Sequence, residues 1–387
     1  MVSTTAVSRN EWFSLPRVIA PGGAMLYSAS KVDPSLPLGP AEALIGGRGR
    51  ELTLNIDSAS FHQLRDVCHD DPAQIGAAVK QIVDTDGRMK NPVTGSGGVL
   101  LGEVTEVGPA FPSRKYGFGV GDRVTTLISL TVTPLHIERV IDVNVDTEKV
   151  VVEGHAILPA SGLAAKMPTD MSESVALAAL DIAGAPAFAR QYVQPDQTVL
   201  VIGAGGKSGH FIMDQARAKL GLTGKLIGLD VPDRAISRMM ALGAADNIIR
   251  LSATEPLAVQ DAIGFLTGGR MADLVINVSS RPNTEMASVM SMREGGQTLF
   301  FGMATSFSAA ALGTEGIGHY GELLIGTGYL PGHANLTLDI IRHNPHLRAL
   351  LEEIYVKNNQ DFLPHTGSRY RQISDSPFPI WQRDPAV

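Results

Sequence analysis

Gln197-Thr-Val-Leu-Val-Ile-Gly-Ala-Gly-Gly-Lys-Ser-Gly209 reads as a buried strand, a glycine turn and the start of a helix. The apolar run Val199–Ile202 meets Gly203, Gly205 and Gly206 at once. Gly203 permits the tight turn, and Gly205 lets the backbone approach a pyrophosphate. The helix starting near Gly206 offers N–H groups and the positive end of its dipole to the phosphates. Ser208 takes the third position of the simplest G-x-G-x-x-G spacing and is small enough for close helix–strand packing; Gly209 follows one residue later. Lys207 adds a charge near the phosphates. Asp230 closes the next strand, where a carboxylate accepts hydrogen bonds from the adenosine ribose and repels a 2′-phosphate. That favours NAD, with NADP still possible because Arg234 lies nearby.

About half of the 387-residue chain precedes this unit, so a separate domain is built first and is expected to hold the substrate. Residues 1–50 are rich in Gly, Pro and Ala and read as a loosely structured lead-in that packs on the first domain. Glu51–Ile56 alternates like a strand, and residues 62–87 have helical spacing, with a possible start at Asp71-Pro72. Val99–Val107, Arg123–Leu130, Arg139–Val145 and Lys149–Val152 read as short strands between Gly and Pro, suggesting a compact β-barrel-like domain. From Ser172 to Tyr192 the pattern is helical. Strands expected at Thr198–Ile202, Lys225–Leu229, Asn247–Leu251, Leu274–Val278 and Thr298–Phe301 then alternate with helices, which predicts a doubly wound parallel sheet. Leu323–Gly326 is a candidate sixth strand. Two more helices are expected over 335–357, and the tail from Phe362 reads as irregular.

Composition sets outer bounds. The net charge of −7 with no basic block argues against nucleic acid as a partner. Cys68 is the sole cysteine, so neither an intramolecular disulfide nor a multi-cysteine zinc site is available. No apolar run reaches the roughly 20 residues of a membrane span, and no signal peptide is seen. The expected location is therefore cytoplasmic. Asp66, His69, Asp70 and Asp71 beside Cys68 read as a solvated face rather than a metal site.

Gly102-Glu-Val-Thr-Glu-Val-Gly108, followed by Val120-Gly-Asp-Arg-Val124, resembles the GroES-like catalytic domain of the medium-chain dehydrogenase superfamily. The resemblance implies a β-barrel-type catalytic domain over 1–184, a Rossmann domain over 185–328, and a return to the first domain over 329–387. It implies a homodimer or higher homo-oligomer, since the superfamily often pairs through the Rossmann sheet edge. Zinc members of that superfamily place a Cys where this chain has Ile56-Asp57-Ser58, and a His-Glu pair where it has Thr94-Gly-Ser-Gly-Gly98. Their structural-lobe cysteines are missing too. The expected site is therefore zinc-independent, with no metal.

Leu54-Asn-Ile-Asp-Ser-Ala-Ser-Phe61, Asn91-Pro-Val-Thr-Gly-Ser-Gly-Gly98 and Ala179-Leu-Asp-Ile-Ala-Gly-Ala-Pro186 resemble the L-erythro-3,5-diaminohexanoate dehydrogenase family. So do the glycine loop, Asn283-Thr-Glu-Met286, Met303-Ala-Thr-Ser-Phe307 and Gly332-His-Ala334. The resemblance covers about residues 45–355. It implies oxidation of the C3 amine of a small diamino acid, with release of ammonia and reduction of NAD or NADP, as a step of lysine fermentation. By the same resemblance the Asp57 segment faces the nicotinamide.

Such a reaction needs a carboxylate near the reacting amine, as base or as electrostatic guide. Asp57 is the first candidate; its alternative reading is a cap on the following helix. Asp181, in an otherwise apolar stretch, is the second, and Ser58 lies beside Asp57. Asn55, Asn91, Thr94 and Ser96 are candidate substrate contacts, with turn formation as the alternative for each. Glu285 and His333 match family blocks and are candidate substrate contacts or structural groups. Arg139 and Arg293 are candidates for the substrate carboxylate. Two rival functions stay open: a zinc-free NADPH-dependent quinone or enoyl reductase, and a cofactor-binding protein without turnover.

Overall fold

A computed structural model describes residues 7–357 and 369–384. The chain forms two compact units, Met1–Asp181 and Ile182–Val387.

The first unit is built on a six-stranded antiparallel sheet. Its order is Leu135–Asn144, Lys149–Pro159, Glu42–Asn55, Val99–Val107, Arg123–Thr126, Ala164–Lys166. The central strand Glu42–Asn55 starts well before the expected Glu51, because Gly46, Gly47 and Gly49 form an irregularity within it rather than ending it. Its inward residues Ile45, Leu52 and Leu54 join Phe61, Ile75, Val79, Leu100 and Val104 in one core. The helical stretch expected over 62–87 is two helices, Ser58–Cys68 and Pro72–Asp86, the second starting at Asp71-Pro72 as expected. The break falls at His69 and Asp70, both with positive φ, and Asp71 then caps the second helix by accepting from the Ala73 and Gln74 amides.

The lead-in is pinned rather than loose. The buried Arg17 guanidinium pairs bidentately with Glu42, at 2.7 and 2.6 Å, and donates to the carbonyls of Asp33, Ser35 and Pro37. The fully buried Arg88 donates to the carbonyls of Leu26, Ala29 and Thr131. These cations satisfy carbonyls that residues 26–37 cannot pair in a ladder.

The second unit is an eight-stranded sheet. Its order is Gly321–Ile325, Met292–Phe300, Ala272–Asn277, Thr198–Ile202, Lys225–Asp230, Asn247–Arg250, Ile380–Arg383, Tyr370–Gln372. The first six are parallel, and their order is that of the doubly wound Rossmann sheet. The order reverses between Thr198–Ile202 and Ala272–Asn277. Leu323–Gly326 was a sound candidate, and the strand found is Gly321–Ile325.

The C-terminal region departs from expectation. Residues 329–387 were expected to return to the first domain, but the contacts group them with the second unit. Helices His333–His343 and Pro345–Tyr355 bury Ile340, Ile341, Leu347 and Leu351 there. Within the tail, Ile380–Arg383 adds antiparallel to Asn247–Arg250, so these residues are not irregular. Residues 358–368 and 385–387, part of the same expectation, lie outside the described residues.

His210, in the helix Lys207–Leu220, is 2% exposed, and its Nε2 has no partner. Burial, helped by Arg238, pushes its pKa down to about 3. The unfolded chain therefore takes up a proton below the ordinary value of about 6.5 that the folded one refuses, and stability falls with pH from there towards 3. At pH 5 this one group costs about 2 kcal/mol. Urea unfolding of His210→Phe at pH 7.5 and pH 5 is expected to lose about 2 kcal/mol less between the two than the parent does. Equal losses would show that His210 is not the acid-sensitive group.

Candidate active site

In the second unit the glycine loop joins strand Thr198–Ile202 to helix Lys207–Leu220. Gly203 has φ +81°, and its amide donates to Leu229 O at 2.9 Å. The other glycine roles differ from the sequence reading by one residue each. A Cβ on Gly205 would lie 2.4 Å from the Ala235 Cβ, so Gly205 is buried against the next helix rather than open to a phosphate. Gly206 is the exposed one: a Cβ there would meet only Gly203 O, at 3.3 Å. Helix–strand packing falls to Gly209, whose Cβ would lie 2.4 Å from both Gly203 O and Ala204 O, and not to Ser208. The working spacing is therefore Gly203, Gly206, Gly209. Ser208 and Lys207 are half-buried in the helix's first turn.

Gly206 is the N-cap of this helix, and no side chain caps it. The first intrahelical bond runs from His210 N to Gly206 O, so the earlier amides form the uncapped, positive end. Asp230 stands opposite. Its Oδ2 accepts from Gly205 N at 2.9 Å and its Oδ1 from Val231 N at 2.8 Å. Burial raises the Asp230 pKa, against these two bonds and the exposed Arg234. A cavity of about 560 Å³ opens at the carboxyl ends of these strands, lined by Ile202, Gly203, Asp230, Ser252, Ser279 and Asn283. An open glycine, an uncapped helix end and a buried ribose-type acceptor beside a cavity at the reversal point fit a nicotinamide dinucleotide.

In the first unit the structure brings six of the expected residues together. Asp57 follows strand Glu42–Asn55 and is the N-cap of Ser58–Cys68: its Oδ1 accepts from Ser60 N at 3.0 Å. Its other oxygen, Oδ2, is buried with no partner. Asn55 is 1% exposed, and its Nδ2 is likewise buried without a partner.

Loop 91–98 is tied to the same turn. Gly98 lies so close that a Cβ would sit 2.0 Å from Asn55 O. Thr94 Oγ1 and Ser60 Oγ are 2.5 Å apart. Asn91 is fully buried and spends its side chain on the loop: Oδ1 accepts from the Val93 and Thr94 amides, and Nδ2 donates to Gln63. Asn91 and Thr94 thus have the turn-forming role named as their alternative, and Ser96 is buried with its amide donating to Thr94 Oγ1. Ser58 does not bond Asp57: its hydroxyl donates to Glu148 Oε2 at 2.7 Å.

The remaining candidates lie elsewhere. Asp181 is half-buried at the C-terminal end of helix Glu173–Leu180. Glu285, in the second unit, is buried and accepts from Ser306 N at 2.7 Å, which ties two segments together. His333 is buried edge-on to the Tyr329 ring, and burial holds its imidazole below the usual range, so it is neutral near pH 7. Arg139 pairs with Glu153 and Arg293 with Asp273, which accounts for both guanidinium groups. Among the described residues no group of three or more His, Cys, Asp or Glu could hold a metal. The sequence reading missed Glu148, which sits in a hairpin turn where an acid carries no periodic signal.

This is the fold of the medium-chain dehydrogenases and quinone oxidoreductases. A mycobacterial quinone oxidoreductase superposes with a TM-score of 0.51 at 18% identity, over 85% of this chain and 92% of that one. The chain belongs to the L-erythro-3,5-diaminohexanoate dehydrogenase family. It is 41% identical to the enzyme of that name from Acetoanaerobium sticklandii and 39% identical to that from Fusobacterium nucleatum, in each case over 88% of this chain and 97% of the relative. Residues 16–168 match the family's N-terminal domain model. The protein is thus a dehydrogenase that uses a nicotinamide cofactor and a small-molecule substrate. No helix among the described residues is long and apolar enough to cross a membrane.

Proposed function

We propose that this chain is a cytoplasmic, zinc-independent dehydrogenase that oxidatively deaminates L-erythro-3,5-diaminohexanoate, or a close β-amino acid. The products are 5-amino-3-oxohexanoate, ammonia and reduced cofactor, as the family's place in lysine breakdown implies. The observation that carries the reading is the unpartnered Asp57 Oδ2, with an unpartnered Nδ2 on Asn55 two residues earlier. A buried acceptor and a buried donor left open are costly unless a ligand completes them. A substrate with both ammonium and carboxylate groups supplies the complements.

The bound nicotinamide supplies the hydride acceptor. The chain supplies the rest. Asp57 takes a proton from the substrate ammonium, which leaves a neutral amine whose lone pair can push out the C3 hydride. Its negative charge then stabilises the iminium formed on the substrate. Water adds to that carbon, the nitrogen regains protons and leaves as ammonia, and a ketone remains. Gly206 and the uncapped helix hold the pyrophosphate, and Asp230 accepts from the adenosine ribose, which favours NAD.

Incubating purified protein with the diamino acid and NAD tests the reading. Reduced cofactor and ammonia should appear in equal amounts. Cofactor reduction without ammonia would overturn it, and stoichiometric zinc in the purified protein would overturn the zinc-free site.

A homodimer is part of the same proposal. Gly321–Ile325 is a sheet-edge strand, and around it Leu312, Ile317, Tyr320 and Ile325 are exposed. A long apolar edge invites pairing. Sedimentation should show a dimer for the parent protein and a monomer for Ile325→Lys; a variant that stays dimeric would move the interface elsewhere.

A further inference from the structure

We propose that Glu148 binds the second ammonium group of the substrate, so that the site selects a diamino acid over a mono-amino one. This rests on the deamination reading above and assigns the part of the substrate that Asp57 leaves unbound. A substrate with two cationic centres needs a second anionic contact once it leaves water.

Glu148 has the placement for that contact. Its main-chain carbonyl accepts from Ile56 N at 3.1 Å, so its hairpin turn is bonded to the residue just before Asp57. Its Oε2 accepts from Ser58 Oγ at 2.7 Å, just after Asp57. Asn55, with its unpartnered and buried amide, pairs in register with Lys149, the next residue. Glu148 is thus bonded to the Asp57 turn on both sides of Asp57, through Ile56 N and Ser58 Oγ.

Among the described residues no Arg or Lys pairs with Glu148. Glu42, Glu103, Asp122, Glu153 and Glu173 of the first unit each pair with Arg or Lys within 2.9 Å. Among the described residues Glu148 has only His62 as an ion-pair partner, at 3.9 Å, and its side chain is 19% exposed. It sits at φ +59°, a left-handed backbone that suits Asn or Gly and disfavours Glu.

The test compares 3,5-diaminohexanoate with 3-aminohexanoate, which lacks the C5 amine. Steady-state kinetics are run on the parent protein, Glu148→Gln and Glu148→Asn, and calorimetry measures binding of both compounds with reduced cofactor present. Losing a charge-assisted contact is expected to raise KM and Kd for the diamino acid about 10–100-fold. Values for 3-aminohexanoate should move less than about threefold, and kcat should change little, because the contact is made equally before and during hydride transfer. Asn suits φ +59°, so Glu148→Asn should melt no lower than the parent while showing the same selective loss. Parallel losses on both compounds would assign Glu148 a structural role and overturn the proposal.

Failure of the two readings looks different. Turnover of the diamino acid with an unchanged preference in Glu148→Gln sinks the proposal alone. Absence of turnover, with tight diamino-acid binding that depends on Glu148, sinks the deamination reading alone. If the parent protein binds the two compounds equally well, or binds neither, the proposal is overturned.

Discussion

Asp57→Asn should lower kcat for deamination by about 10³-fold, the central value for removing a positioned general base, while cofactor affinity stays within about twofold. Asparagine is the informative replacement because Asp57 does two things. Its Oδ1 caps helix Ser58–Cys68 through Ser60 N, and its Oδ2 is buried and unpartnered. Asparagine caps about as well as aspartate, so the helix keeps its end and only the charge and basicity are lost. Asp57→Ala would add a capping loss of about 1 kcal/mol and blur the result. Rapid-mixing measurement of the first hydride transfer, alongside cofactor titration, separates the chemical step from binding. Activity within about threefold of the parent would remove Asp57 as base and turn attention to Asp181.

Asp230→Ser should reverse cofactor preference. The parent protein is expected to bind NAD more tightly than NADP, because a carboxylate near a 2′-phosphate costs about 4 kcal/mol per unit charge at 4 Å near a protein surface. Removing it also deletes the acceptor for the ribose hydroxyls, worth about 1.5–3 kcal/mol. The ratio of NADP to NAD affinity should therefore rise by at least about 100-fold. Both affinities will fall somewhat, since Asp230 also holds the Gly205 amide of the turn. The ratio, measured by calorimetry with each cofactor, is thus the quantity to read. An unchanged ratio would show that discrimination lies in other residues lining the cavity, Arg281 among them.

Much of the second unit was legible in the chain. Buried parallel strands carry short apolar runs, Val199–Ile202 in one and Leu274–Ile276 in another, and each strand is followed by a turn and a helix. The one-residue shift in the glycine loop was not legible. Which glycine is open depends on Ala235, at the start of a helix beyond the next strand, and sequence spacing does not reveal that neighbour. The short C-terminal strands escaped because three or four residues cannot display a period. In the first unit, Gly46, Gly47 and Gly49 hid the first nine residues of a 14-residue strand, since the same glycines that usually end a strand can also bend one. Asp57 was found by position, but the sequence offered capping and chemistry as alternatives, and the two oxygens of its carboxylate have different environments. Glu148 carried no signal at all: a turn acid in Asn144–Glu148 looks solvated until Ser58 and Ile56 are seen against it.

The two rims of the nucleotide-binding sheet are unequal. One ends in the five-residue strand Gly321–Ile325 with exposed apolar neighbours, the other in the three-residue strand Tyr370–Gln372, which carries Arg371. A brief, charged rim is a poor template for another backbone. Among the described residues only one rim is then fit for joining a second copy, and in the proposed dimer that union would consume it on both partners. Rim-to-rim growth would stop at a closed pair, whereas two adhesive rims would propagate into a fibre.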